Sequence, residues 1–299
     1  MQASPSPTHD TLSTEVRRVL ALAWPVTLTS LNWTLLHLTD VAVVGFAGTG
    51  EVAALGASRA LTYVKIVAGI AWLSGVLVFV SRADGASDAC EAGLRLRAGL
   101  CFGFLLGSAM AAILFVFAAP LLTFIGVEAH VAPRAAQVVR AIALAYPCTF
   151  LTMAASYYLE GVSRPRRVLA VNLAMLPANA LLAWALAVGA LGLPRLGAVG
   201  AALATTIVSL FGAALMVASA LSLSRTRERA AHLAPEWSAA IRAINQLVRF
   251  GFIPAIAAAL ELGGFAILIA LSTQLGTAAA HAFQIVFSVH NLTFALALG

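Results

Sequence analysis

Runs of mostly apolar residues, each long enough to cross a bilayer, constrain this chain more than any motif does. A spanning helix needs about 20 such residues. Roughly eight runs qualify, at about 20–46, 58–81, 96–118, 136–159, 167–190, 197–222, 248–271 and 278–299. We call them spans 1 to 8. The alternation of a transmembrane β-barrel is absent, so the spans are read as helices. Composition agrees: 10% of residues are charged, against about 25% in a soluble globular chain. The fold class is therefore an all-α polytopic membrane protein. The run that follows Arg17 and Arg18 is too long for the core of a signal peptide and contains an acid. It is a first span and not a cleaved leader.

The net charge of +6 does not imply a nucleic-acid partner, because the basic residues lie in short clusters between apolar runs. Membrane loops show that pattern. With the N-terminus inside, thirteen arginines fall in cytoplasmic segments: Arg17, Arg18, Arg82, Arg95, Arg97, Arg164, Arg166, Arg167, Arg225, Arg227, Arg229, Arg242 and Arg249. The outer side holds Arg59, Arg134 and Arg195 in loops, with Arg140 just inside a span end. That bias orients the chain N-in. Cys90, Cys101 and Cys148 lack the spacing of a zinc site or a disulfide framework. Phosphate-binding, zincin and nucleophile-elbow signatures are absent as well, so nothing points to nucleotide-driven transport.

A polar stretch, SRTRERAAHLAPEWSAAIRAINQLVR, separates spans 6 and 7. The expected organisation is a cytoplasmic N-terminal segment 1–19, a six-helix lobe 20–222, a cytoplasmic linker 223–247, and two helices of a second lobe at 248–299. A weak internal echo supports repeat-related lobes. Pro25 opens PVTLTSLNW and reaches Gly48-Thr49; Pro254 opens PAIAAALEL and reaches Gly276-Thr277 at nearly the same distance. Six-helix repeats are a common transporter plan. On that plan the second lobe stops after two helices. The last residues, FALALG, lie in an apolar run with no basic cap. The expectation is a fragment lacking helices 9–12.

Two acids, Asp40 and Glu261, lie deep in spans 1 and 7. Mid-membrane acids carry an insertion cost of roughly 2.5–3.5 kcal/mol each, so the pair costs about 5–7 kcal/mol. The default reading is a titratable or cation-attracting function. His37 shares the Asp40 face one turn earlier. Lys65 in span 2 is placed at a comparable depth, where it either pairs with Asp40, offsetting desolvation, or snorkels to the interface. Glu261 has no basic residue within a helical turn. That suits a group that binds and releases a proton, or a water-facing carboxylate that binds a monovalent cation; a carboxyl hydrogen-bonded between helices is the structural alternative. Asn172, Asn179, Thr205, Thr206 and Ser209 put polar groups in spans 5 and 6, for which helix–helix hydrogen bonding is the plain explanation. His281 and His290 are nine residues apart in span 8, which is not the spacing of a helical metal pair.

Several segments together resemble the multidrug and toxin extrusion (MATE) transporters: LALAWPV and TDVAVVGFAG in span 1, SRADGASD after span 2, YYLEGVSRPRR after span 4, LGAVGAALAT entering span 6, and RFGFIPAIAAALELGGFAI in span 7. The resemblance covers nearly the whole chain. It implies two six-helix lobes around a cleft. It also implies a monomer in the bacterial inner membrane that exports small cationic amphipathic compounds in exchange for protons or sodium, with no cofactor beyond the coupling ion. Asp40 then matches the family's acid in the first helix, Asn179 and Thr205 match nearby polar positions, and Glu261 matches the seventh-helix glutamate of the bacterial multidrug branch. Ala183 stands where the DNA-damage-inducible branch has an aspartate, and Lys65 has no counterpart in the pattern. A further acid of the family, in its tenth helix, would lie beyond Gly299.

Three other readings stay open. A flippase of the same superfamily, for a lipid-linked or anionic substrate, would carry several basic residues in its cleft, where Lys65 alone qualifies. An intramembrane enzyme would need a nucleophile–base or metal constellation at one depth, and none is visible. A non-transporting truncated paralogue is the third.

Overall fold

The computed structural model describes residues 9–223, 237–274 and 286. Nine α-helices account for most of the described residues: α1 (His9–Gly45), α2 (Thr49–Leu73), α3 (Gly75–Gly85), α4 (Ala89–Phe124), α5 (Ala132–Ala143), α6 (Tyr146–Gly161), α7 (Pro165–Val188), α8 (Gly197–Leu221) and α9 (Trp237–Gln274). A short 3₁₀ turn, Ala190–Gly192, links α7 to α8. Five stretches are long and apolar enough to cross a membrane: α2 with α3, α4, α7, α8 and Ser238–Gly264 of α9. The bent pair α5 and α6 makes a sixth. α1, which carries Thr27, Thr29, Ser30, Asn32, His37 and Asp40, is not among these stretches. At 37 residues it is nonetheless long enough, since a helix rises about 1.5 Å per residue. Span 8, with His281 and His290, lies outside the described residues.

Spans 5 and 6 fall close to their expected limits, where Pro165 opens α7 and Gly197 opens α8. Other boundaries differ; span 3, expected at 96–118, runs as α4 from Ala89 to Phe124. α1 begins at His9, inside the expected N-terminal segment, and α9 begins at Trp237, inside the expected linker. Span 2 starts at Thr49 and not near 58, so Arg59 is not a loop residue; it sits more than two turns inside α2. EVAALGASRA reads as a loop by its charges, but it is rich in the strongest helix formers, and only Gly48, at φ 131°, interrupts the chain before it.

Two spans are broken. α2 gives way to α3 at Ser74. α5 and α6 meet at an angle of 44°. Pro147 opens α6 and has no N–H to continue the preceding ladder, and its ring crowds the carbonyl one turn back. Asp88 caps α4 by accepting the Glu91 N–H at 2.9 Å.

α4 is the helix against which α6 is laid. Gly99, Gly103 and Gly107 recur every fourth residue, one stripe along α4. A Cβ on Gly103 would come within 2.9 Å of the Phe150 carbonyl, and one on Gly107 within 2.7 Å of the Tyr146 carbonyl. Small residues let backbones approach this closely, which is how apolar helices associate in a solvent as apolar as themselves.

α9 docks on α2, α3 and α4. A Cβ on Gly251 would overlap the Trp72 carbonyl. The Trp72 Nε1–H donates to the Val248 carbonyl at 3.0 Å. The same indole meets Phe102 and Phe252 edge-on, each at 6.0 Å. Arg95, only 8% exposed, donates to Gln246 Oε1 at 2.6 Å and Glu91 Oε1 at 2.7 Å, with its guanidinium 4.5 Å over the Phe79 ring. α1 and α9 each carry an internal proline, Pro25 and Pro254.

A carboxylate ties the opposite end of the bundle. Glu51, in the first turn of α2, accepts Arg134 Nε–H of α5 at 2.9 Å and the Ala198 N–H of α8 at 2.6 Å. Arg134 Nη2–H donates onward to the Leu196 carbonyl at 2.8 Å. The acid thus sits at helix N-termini, where partial positive charge favours it. Gly197, at φ +58°, leaves room for it, because a Cβ there would collide with the Glu51 carboxyl.

Two outcomes follow for purified protein. Gly103→Leu should destabilise it by about 1–3 kcal/mol through overpacking against Phe150, seen as a lower unfolding midpoint; an unchanged midpoint would show that α4 and α6 do not depend on the glycine row. Glu51→Gln should cost about 1 kcal/mol or somewhat more, since the ion pair with half-exposed Arg134 is screened while the bond from the Ala198 N–H, which a glutamine oxygen still accepts, loses its charge assistance. The same midpoint for Glu51→Gln would show that the acid does not brace these helices.

Candidate functional site

α1 and α7 run parallel, and two polar contacts two turns apart set their register. The Asn32 Nδ2–H donates to the Asn172 carbonyl at 3.1 Å, and the Asn179 Nδ2–H donates to Asp40 Oδ1 at 2.8 Å. All four residues are buried: Asn32 is 4%, Asp40 6%, Asn172 6% and Asn179 1% exposed. In both asparagines the amide N–H is used and the amide oxygen is buried without a hydrogen-bond partner. Unused buried acceptors are uncommon and call for an explanation. Here they lie on one seam, and one of them belongs to the residue that holds Asp40.

The second partner of Asp40 comes from α2. Arg59 Nη2 lies 3.8 Å from Asp40 Oδ2, while its N–H donates to the His37 carbonyl at 3.0 Å. The geometry follows from the hairpin. α1 and α2 are antiparallel about a turn at Gly48, so residues at similar distances from the turn share a depth. Asp40 and Arg59 satisfy that condition. Lys65, six residues further along α2, is about 9 Å deeper; the depth expected for it rested on a helix starting near 58, and its side chain lies outside the described residues.

The other sequence-derived candidates are placed as follows. Thr205 turns its hydroxyl to its own helix, donating to the Ala201 carbonyl at 3.1 Å. Thr206 donates to the Ala141 carbonyl at 2.7 Å and so bonds α8 to α5. Ala183, one turn beyond Asn179, is fully buried in an apolar cluster with Val43 and Val44. Ser209 is buried on α8. Glu261 is exposed on α9. No hydrogen bond or ion pair among the described residues joins it to the Asp40 cluster, which draws on α1, α2 and α7.

The sequence reading missed Arg59 at this site. The signal was present in the i, i+4 pattern of ALGASRALTY, which continues α2 back through Arg59. Chemically, the cluster offers one carboxylate, one amide oxygen without a partner, and one guanidinium partly open to solvent, all on rigid helices.

Comparisons with known proteins agree with the fold. The MatE family model matches residues 25–185. A probable multidrug resistance protein NorM from Bradyrhizobium diazoefficiens is 30% identical over 290 residues, covering 96% of this chain and 61% of the relative. The multidrug resistance protein NorM of Vibrio parahaemolyticus is 25% identical over 285 residues, covering 94% and 61%. Among solved structures, a eukaryotic MATE transporter superposes with a TM-score of 0.80 at 17% identity, covering 94% of this chain and 62% of that one. An outward-facing multidrug resistance MATE transporter superposes at 0.77 and 16% identity, with the same coverage. The chain spans about 61% of the length of these curated relatives. With a family match over more than half its length and a helical bundle of the same shape, this chain is a multi-pass membrane protein that belongs to the MatE family.

Proposed function

We propose that the protein is a secondary antiporter that exports small cationic amphipathic compounds in exchange for protons or sodium, and that Asp40 is the cation-binding group of its first lobe. One observation carries this reading: a carboxylate 6% exposed, gripped by a neutral amide on one side and faced by a cation on the other. Such a group is costly in a membrane unless function uses it. Asn179 orients the carboxylate, and its unpartnered oxygen is a second ligand for a cation there. Thr205 and Lys65 are proposed as further substrate- or ion-contacting residues of the first lobe, Lys65 at a deeper level than Asp40. Glu261 is the corresponding group of the second lobe, which α9 opens. The weak echo between the segments that Pro25 and Pro254 open supports that division, although Glu261 stands closer to its proline than Asp40 does. The proposed lobes are residues 20–222 and 248–299, on either side of the linker. The arginine bias places the N-terminus in the cytoplasm of a bacterial cell. The curated relatives are named for multidrug resistance, which fits organic cations as substrates. The protein is proposed to work as a monomer, without enzymatic chemistry or a cofactor.

Arg59 beside Asp40 favours a second reading, a flippase for an anionic or lipid-linked substrate.

The test is efflux of a fluorescent cationic dye from vesicles containing the natural full-length protein, with imposed proton or sodium gradients. Asp40→Asn should insert and fold, yet bring gradient-driven efflux close to the protein-free rate. Glu261→Gln should keep part of its dye binding and lose the response to the gradient. Wild-type efflux from Asp40→Asn under both gradients would refute the assignment of Asp40. No dye efflux by the wild type under either gradient would favour the flippase.

A further inference from the structure

We propose that Arg59 is a tethered counter-cation of Asp40, which an incoming substrate or coupling ion must displace. The proposal rests on the reading of Asp40 as a cation site.

Three features of the geometry point to it. First, Arg59 grips Asp40 loosely. The Nη2 to Oδ2 separation of 3.8 Å is an ion pair but exceeds a hydrogen bond, whereas charge-assisted guanidinium–carboxylate bonds close to about 2.7–2.9 Å. The firm hold on the carboxylate is the 2.8 Å bond from Asn179, and Arg59 spends its own N–H on the His37 carbonyl. Removing the guanidinium would therefore leave Asp40 oriented. Second, the arginine side chain is 27% exposed and the aspartate side chain 9%. The long arginine stem gives its head group a way toward solvent that the carboxylate lacks. Third, α7 brings no second acid to Asp40. One turn beyond Asn179, α7 presents Ala183, packed with Val43 and Val44. Asp40 and Arg59 sum to zero charge, so a cation arriving while Arg59 stayed would meet a like charge at contact distance. Cation entry and departure of Arg59 are then one exchange.

This makes Arg59 a specificity-determining residue. An organic cation with an apolar body brings apolar burial to offset the displacement, while a small hydrated ion brings only its charge. Arg59 thus sets a threshold that favours amphipathic cations.

The experiment measures binding of tetraphenylphosphonium, a permanent cation with no ionisable proton, to purified natural full-length protein. Arg59→Gln should bind it about tenfold more tightly, within the usual range of coupling between two charges at one site. Arg59→Lys, which keeps the charge, should bind close to the wild-type value. In an Asp40→Asn background, Arg59→Gln should have no such effect. Unchanged or weaker binding by folded Arg59→Gln overturns the proposal. Failure of Arg59→Gln to fold also overturns it, because a group that leaves Asp40 in every cycle cannot be what holds α1 against α2. If Asp40→Asn changes binding in neither background, the reading of Asp40 as the cation site falls instead.

Discussion

A carboxylate among apolar helices must find its partners inside the protein, because no lipid tail can supply them. Asp40 finds one on α7 and one on α2, across 139 and 19 residues of sequence. Those two contacts bring three helices to one point. The parallel register of α1 and α7 is fixed there and again at Asn32 and Asn172. The depth of α2 against α1 is fixed by the turn at Gly48. The site is therefore a property of the packing, and a shift of one turn in any of the three helices would break it.

What holds the helices this close differs along the bundle. Near Asp40 the seam is polar. Around α4 and α6 it is a row of glycines that brings backbone onto backbone, worth only dispersion and shape. At the α9 contact the two mechanisms combine. Gly251 lies on the Trp72 carbonyl, while buried Arg95 bonds Gln246 and Glu91 and lies over Phe79. α9 is thereby moored on α2, α3 and α4, while Glu261, two turns beyond Pro254, stands clear of them and exposed.

Much of the fold was legible in the sequence because membrane helices advertise themselves by length and apolarity. The limits of α7 and α8 were readable from Pro165 and Gly197. The limits of α2 were not, because hydropathy registers Glu51 and Arg59 as polar and cannot tell a helix end from a charged residue satisfied within the bundle. That one boundary hid the site's second partner and gave Lys65 its depth. The breaks at Ser74 and Pro147 were also invisible to a hydropathy window, which sees composition and not backbone ladders. Asp40 and Asn179 were individually conspicuous as polar groups in apolar runs. Their contact was not, since nothing local to either residue encodes a partner 139 positions away.

The central claim is that Asp40 and a cation meet in this lobe, so that substrate and coupling ion compete for one carboxylate. The most direct measurement is the affinity of the natural full-length protein for tetraphenylphosphonium as sodium concentration and pH are varied, in wild type and in Asp40→Asn. Competition requires that raising sodium, or lowering pH, weaken wild-type binding, and that the dependence shrink in Asp40→Asn, since linked equilibria share one coupling free energy. An identical dependence in the two proteins would contradict the account and leave Asp40 as a buried brace between α1 and α7.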